Sequence, residues 1–149
     1  MDGLNDHGWR FSELLVEVFR VNGLLLAAGD ELAAPDGLTS ARWQVLGVVD
    51  HGPTTVAEVA KLMGLTRQSV QQTADALVRE RMVEFRDNPR HRRAKHLVLT
   101  DRGRTALRAV EVRQAAWANA IGERLPLAEL RTATGTLRDL GDLLAGKDD

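Results

Sequence analysis

The sequence predicts a mainly α protein with a single small β-hairpin, and three observations carry that prediction. Apolar residues recur at spacings of three and four over most of the chain, which is the period of helices. That period breaks between Met82 and Thr100, where two short, partly alternating stretches flank the turn-forming run Asp87-Asn88-Pro89-Arg90. Between Thr55 and Leu77, two short helical segments meet across Gly64 with the spacing of a helix-turn-helix. Together these describe a winged helix-turn-helix bracketed by long terminal helices, with all of residues 1–149 in one domain.

Residues 1–8 are mostly polar, include two glycines and are expected to fray. From Trp9 to about Ala33, Phe11, Leu14, Leu15, Val18, Val21, Leu25 and Ala28 form one helical stripe. Pro35-Asp36-Gly37 ends that helix. Thr39 caps a second helix, Ser40 to about Asp50, which offers Trp43, Val45, Leu46 and Val49 for burial. Gly52-Pro53 closes it. Thr55 and Glu58 have capping-box spacing, so a third helix starts at about Val56. Gly64 follows its apolar run, where a glycine can take the left-handed turn that ends a helix. Thr66 is a good N-cap for the fourth helix. Ala60, Gly64 and Val70 have the spacing that lets two helices cross closely.

The outward face of the fourth helix follows from its period. At about 100° per residue, Val70, Ala74 and Leu77 share the inner side. Gln68, Gln71, Gln72, Asp75 and Arg79 lie away from it. Glutamine can pair with adenine and arginine with guanine in the major groove. The candidate DNA-contacting residues here are therefore Thr66, Arg67, Gln68, Ser69, Gln71 and Gln72. Met82 to Arg86 and Lys95 to Thr100 read as the paired strands, with Arg90-His91-Arg92-Arg93 at the tip. A charge run is usually a solvated loop. Its position directly after a recognition helix instead makes Arg90, Arg92 and Arg93 candidates for DNA contact. Thr100 then caps a long helix, Asp101 to about Glu123, with Leu107, Val110, Trp117 and Ile121 on one stripe. Pro126 permits a new helical start. Leu130, Ala133, Leu137, Leu140 and Leu144 form a heptad seam. The closing Gly-Lys-Asp-Asp is too polar to pack.

Composition sets the bounds. The chain has 149 residues, 44% of them apolar and 28% charged, which suits a domain with a real core. No apolar run approaches the roughly 18 residues of a membrane span. The N-terminus lacks a signal-peptide layout. There is no cysteine, which removes disulfides, cysteine metal sites and thiol redox sensing. A cytoplasmic location is the resulting expectation. The net charge is −1, yet Arg86 to Arg104 holds seven basic and two acidic residues. That local surplus can bind phosphates while the acidic remainder limits indiscriminate binding. His7, His51, His91 and His96 are scattered, and no catalytic motif, cofactor fingerprint or metal-ligand spacing appears, so neither an enzyme nor a cofactor or metal is expected. The outer helices leave apolar stripes that a two-fold partner would cover, and a two-fold reader spans two half-sites. The competing class is a winged-helix protein-interaction module without DNA binding. An acidic or apolar recognition face would mark it, and the face here is glutamine and arginine.

Three stretches resemble the MarR family of bacterial transcriptional regulators: Leu38 to Leu46, Val56 to Val70, and Arg92 to Gly103 with its Leu-Thr-Asp-Arg-Gly run. The resemblance extends from about Leu14 to Leu144. It implies a homodimer whose dimerisation helices are residues 9–34 and 101–145, around a winged helix-turn-helix core at 39–100. It also implies a repressor of pseudo-palindromic operators, released by a small ligand, often an aromatic acid. Arg93 then matches the wing arginine that enters the minor groove. A family-type pocket would lie near Trp9, Phe19, Trp43 and His51, although core packing competes for the three aromatics. Two positions depart from the pattern. His91 stands where the family has an aspartate that helps hold the wing, which puts a titratable group there. Arg81 stands where the family has a glycine after the recognition helix, which makes that exit either more regular or strained.

Overall fold

The computed structural model describes residues 3–146. Its elements in order are α1 (Asp6–Ala33), α2 (Ser40–Val49), α3 (Val56–Met63), α4 (Arg67–Arg79), β1 (Val83–Arg86), β2 (His96–Leu99), α5 (Asp101–Gly122) and α6 (Leu127–Leu144). The backbone divides after Val110 into two compact units, with α5 contributing to both. The final Lys147, Asp148 and Asp149 of the polar C-terminal run lie outside the described residues.

The helix expected to begin at Trp9 begins at Asp6 instead, so fraying over residues 1–8 is corrected for its later part. The cause is local: the Asn5 side chain accepts from the Gly8 amide at 2.9 Å, and Asp6 places a negative charge in the first turn. α1 meets α2 at a close crossing. The Ser40 hydroxyl donates to the Leu26 carbonyl at 2.6 Å, and the Ser40 amide donates to Asp30 at 2.7 Å. A Cβ on Gly29 would stand 2.2 Å from the Ser40 oxygen, so only glycine fits that contact.

The core of the first unit is built by α2, α3, α4, the hairpin and the first turns of α5. Leu46, Val59, Val70, Leu77, Leu97, Leu107 and Val110 are fully buried in it. α3 and α4 cross as their sequence requires. Thr55 and Glu58 form the reciprocal capping box, Gly64 turns left-handed at φ 64°, and the Thr66 side chain accepts from Ser69. β1 and β2 pair antiparallel with Val83 opposite Leu99 and Arg86 opposite His96. Thr54 adds a short third contact: its amide and carbonyl both pair with Leu97, which ties the start of α3 to the base of the hairpin.

The junction after α4 is compact. Arg81 takes the left-handed conformation at φ 57°, while its amide donates to the Val78 carbonyl and the Met82 amide to the Leu77 carbonyl. The Thr100 hydroxyl donates to the Arg81 carbonyl at 2.7 Å, and its oxygen accepts from the Gly103 amide at 3.0 Å. A Cβ on Gly103 would lie 1.9 Å from the Met82 carbonyl oxygen. The start of α5 is thus seated on the turn that ends α4. In the second unit, α6 buries none of its side chains; Leu137 is 46% exposed and Leu144 76%.

Candidate nucleic-acid interface

The outer surface of α4 is set by what its inner surface buries. Val70, Ala74 and Leu77 are buried, which turns Arg67, Gln68, Gln71, Gln72 and Asp75 to solvent. Thr66 and Ser69 are also exposed but locally engaged: the Ser69 amide donates to the Thr66 hydroxyl and the Ser69 hydroxyl to the Thr66 carbonyl. The Gln71 amide nitrogen donates to Asp75 at 2.9 Å. Gln68 and Gln72 have no such tie among the described residues.

The hairpin tip stands beside this face. Arg90, His91, Arg92 and Arg93 are all exposed. With no aspartate at His91, the turn is organised from Asn88, whose side-chain oxygen accepts from the Arg90 amide at 3.0 Å and whose carbonyl accepts from the His91 amide at 3.1 Å. Asn88 forms an Asx-type turn that needs no charged residue at the tip. At the end of β1 next to the tip, Arg86 pairs with Glu84, so Arg86 is less available to a phosphate than the tip arginines are.

Between α4 and the hairpin lies a cleft of about 560 Å³, lined by Val56, Ala57, Arg67, Gln68, Gln71, Phe85, Arg93 and Lys95 among others. It brings together Arg67, Gln68 and Gln71 with Arg93. Arg90 and Arg92 do not line it. Its floor is apolar, and three cations stand around it. Local sequence does not single out Lys95 and Phe85 as site residues. Thr54 pairing with Leu97 joins the start of α3 to their hairpin, a contact between residues too distant in the chain to leave a local signal.

The four residues expected near a ligand pocket are not brought together. Trp9 is 47% exposed and lines a shallow cavity with Asp6, Arg10 and Glu13. Phe19 is 72% exposed. Ten residues separate it from Trp9, which on one helix is about 15 Å. Trp43 is half-buried and packs on the core, and it also lines a groove between α1 and α2 with Asn22, Leu25, Leu26, Gly29, Ser40, Gln44 and Gly47. His51 is exposed just beyond α2. Near it, Asp50 accepts from Arg104 at 3.0 Å and from Arg108 at 2.8 Å, a clamp from the end of α2 to α5.

One electrostatic feature supports the scaffold. Glu58 accepts from the Thr55 amide at 3.0 Å and from the Thr54 hydroxyl at 2.8 Å. The Thr55 hydrogen bond, then that of Thr54, holds its carboxyl below the ordinary value near 4.5, helped by the nearby His96 and opposed by slight burial. No described helix is long and apolar enough to cross a membrane.

A crossed helix pair, an exposed face of amides and arginine on the second helix and a cationic hairpin beside it define a winged helix-turn-helix module of the DNA-binding kind. The model described as MarR family matches residues 36–94. The chain is 39% identical over 127 residues to the Mycobacterium tuberculosis protein Rv2011c, a match covering 85% of this chain and 89% of that protein. Among solved structures, it resembles Sco5413, a MarR family transcriptional regulator from Streptomyces coelicolor (TM-score 0.79, 25% identity, 94% of this chain and 98% of that one). A similar fold is seen in a mutant MarR from E. coli complexed with operator DNA (TM-score 0.78, 20% identity, 91% and 99% coverage). The chain belongs to the MarR family of winged-helix transcriptional regulators.

Proposed function

We propose that this regulator is a cytoplasmic homodimeric repressor, not an enzyme, that reads a pseudo-palindromic operator through α4 and the hairpin and leaves it on binding a small aromatic acid. The observation that carries the reading is the juxtaposition of Arg67, Gln68 and Gln71 with Arg93 around one cleft. Base-reading amides on a helix and a cation on a projecting hairpin are what major-groove readout with backbone or minor-groove anchoring needs. Arg90 and Arg92 add charge at the tip. Thr66 and Ser69 shape the start of α4; the Ser69 hydroxyl hydrogen is used on the Thr66 carbonyl, and the Thr66 hydroxyl, which accepts from the Ser69 amide, keeps its hydrogen for a phosphate.

The same cleft supports the choice of an anionic ligand. An aromatic acid finds cations at Arg67, Arg93 and Lys95 and an apolar surface at Phe85 and Val56. Occupied by such a ligand, the cleft would compete with DNA for the same arginines. The groove at Trp43 is lined by no cation, so it suits an uncharged ligand better.

The test is selection of bound fragments from genomic DNA, followed by affinity measurements on the selected duplex and a scrambled one. Gln68→Ala and Gln72→Ala should each weaken operator binding by about 1–3 kcal/mol and relax preference at particular positions. Equal affinity of the wild type for selected and scrambled duplexes would sink the reading and favour a protein-interaction module. Calorimetry with aromatic acids tests release: no heat of binding and no competition with operator would remove the ligand from the proposal.

A further inference from the structure

Gln71 is the glutamine of the reading face whose amide is already held. Its Nε2 donates to the Asp75 carboxylate at 2.9 Å, one helical turn on. A carboxylate only accepts hydrogen bonds, so it admits the Gln71 amide in one orientation: nitrogen toward Asp75, oxygen away. Turning the amide over would set two acceptors against each other. At about 100° per residue, Asp75 lies between Gln71 and Gln72 on the outward sector, and Gln71 stands at the edge of that sector which lines the cleft beside the hairpin.

We propose that Asp75 is a positioning residue that sets the base preference of Gln71, directing its Oε1 at a base that carries an exocyclic amino group in the major groove, adenine or cytosine. This rests on the reading of α4 as the base-contacting helix. Adenine presents the N6 amino group and cytosine the N4 amino group, both donors to Oε1. Guanine and thymine present O6 and O4 at the corresponding edge, acceptors that would oppose it. One amide hydrogen of Gln71 is used by Asp75 and the other remains beside Oε1, so pairing with the N6 and N7 positions of adenine stays open. Asp75 has a second effect. A negative charge in the reading face opposes phosphates of any sequence, so it lowers non-specific affinity while it sharpens one position.

Asp75→Asn separates these effects. Asparagine is nearly the same size but can donate or accept, so Gln71 is free to turn over. The experiment determines the base preference at every operator position, from randomised duplexes, for the wild type, Asp75→Asn, Asp75→Glu and Gln71→Ala, with helix content and melting recorded for each. The wild type should prefer adenine or cytosine at one position per half-site. Asp75→Asn should lose about tenfold in discrimination at that position, the scale of one good side-chain pair, and keep the others. Gln71→Ala should lose the same preference, and the double variant should lose no more than either single one. Asp75→Glu, still an acceptor-only partner, should retain the preference. If Asp75→Asn raises affinity for operator and scrambled duplex alike and leaves every base preference intact, Asp75 acts through charge alone and the assignment is overturned. A preference for guanine or thymine at the position that Gln71→Ala relaxes overturns it as well. If the wild type itself shows no base preference, the DNA-reading function falls, and this assignment with it.

Discussion

Arg81 ends α4 in a left-handed conformation, φ 57°, where a side chain crowds the following carbonyl. It is the one non-glycine with positive φ among the described residues. The turn persists because hydrogen bonds on both sides hold it: two close the end of α4 and a third comes from Thr100. Glycine would remove the crowding but add freedom to the unfolded chain. Arg81→Gly should therefore stabilise by about 0.5–1 kcal/mol net, seen as a higher denaturation midpoint at an unchanged slope. A lower midpoint would mean that the arginine side chain stabilises more than its backbone costs. Glu58 makes a prediction of opposite chemical kind. Its folded carboxyl titrates below the ordinary value, so folding favours the charged form. Its stabilisation is complete above the ordinary value near 4.5 and is lost as pH falls through the depressed folded value. In acid titrations of stability, Glu58→Ala should be less stable at neutral pH and converge on the wild type as pH falls. A constant gap between the two curves would show that the cap acts without its charge. The capping box is legible in the sequence because both partners are local. The Arg81 strain is legible only as an alternative, because whether a turn is left-handed depends on what the hairpin and α5 impose on it.

At the level of elements, the hairpin is where sequence and structure part most. β1 starts one residue later than the alternation suggests, β2 is shorter by one residue at each end, and the tip is held by Asn88 rather than by a charged residue at position 91. These facts are local, and Asn88 before a proline is a turn signal that the sequence contains. The cleft is different. Val56 and Ala57 of α3 come beside Phe85 and Lys95 of the hairpin where Thr54 pairs with Leu97 across the fold, and no periodicity encodes that. The Asp75 to Gln71 hydrogen bond lies between these cases, since residues four apart on a helix are neighbours by construction. The hairpin and α4 should also differ in how they bind. Arg93, exposed beside the cleft, can supply charge to phosphates or to a narrow minor groove. Arg93→Ala should weaken operator and scrambled DNA by similar factors. The slope of log K against log salt should become shallower by about 0.9 for each phosphate that the arginine no longer neutralises. Salt titrations on both duplexes measure this. An unchanged slope together with unchanged affinity would mean that the hairpin stays off the DNA.

At the scale of the whole molecule, the apolar surface that the chain leaves uncovered is the strongest constraint on its assembly. Phe11 is 40% exposed, Val21 39% and Leu25 51% along one stripe of α1, and Leu137 and Leu144 are exposed on α6. Scattered exposed leucines are ordinary in a monomer, but long helical faces of them mark an interaction surface. The heptad seam of α6 is legible because its period is local. What covers it is not, since the same stripe can face the chain's own core or a partner. That α6 buries none of its side chains favours the partner. A charge placed there should cost the isolated subunit little, because Leu137 is half-exposed and Leu144 mostly so. It should be costly at an interface, where it would be buried unpaired. Leu137→Glu combined with Leu144→Glu should therefore keep the helical content of the wild type while shifting its mass in solution toward the 16.4 kDa of one chain. Wild-type melting should rise with protein concentration, as dimers do by mass action, and that dependence should vanish in the double variant. Operator affinity should fall with the dimer, since a single half-site engages only one reading helix and one hairpin. Light scattering decides the matter: a wild type that stays monomeric at micromolar concentration, with a melting point indifferent to concentration, would leave the apolar faces of α1 and α6 to some other partner.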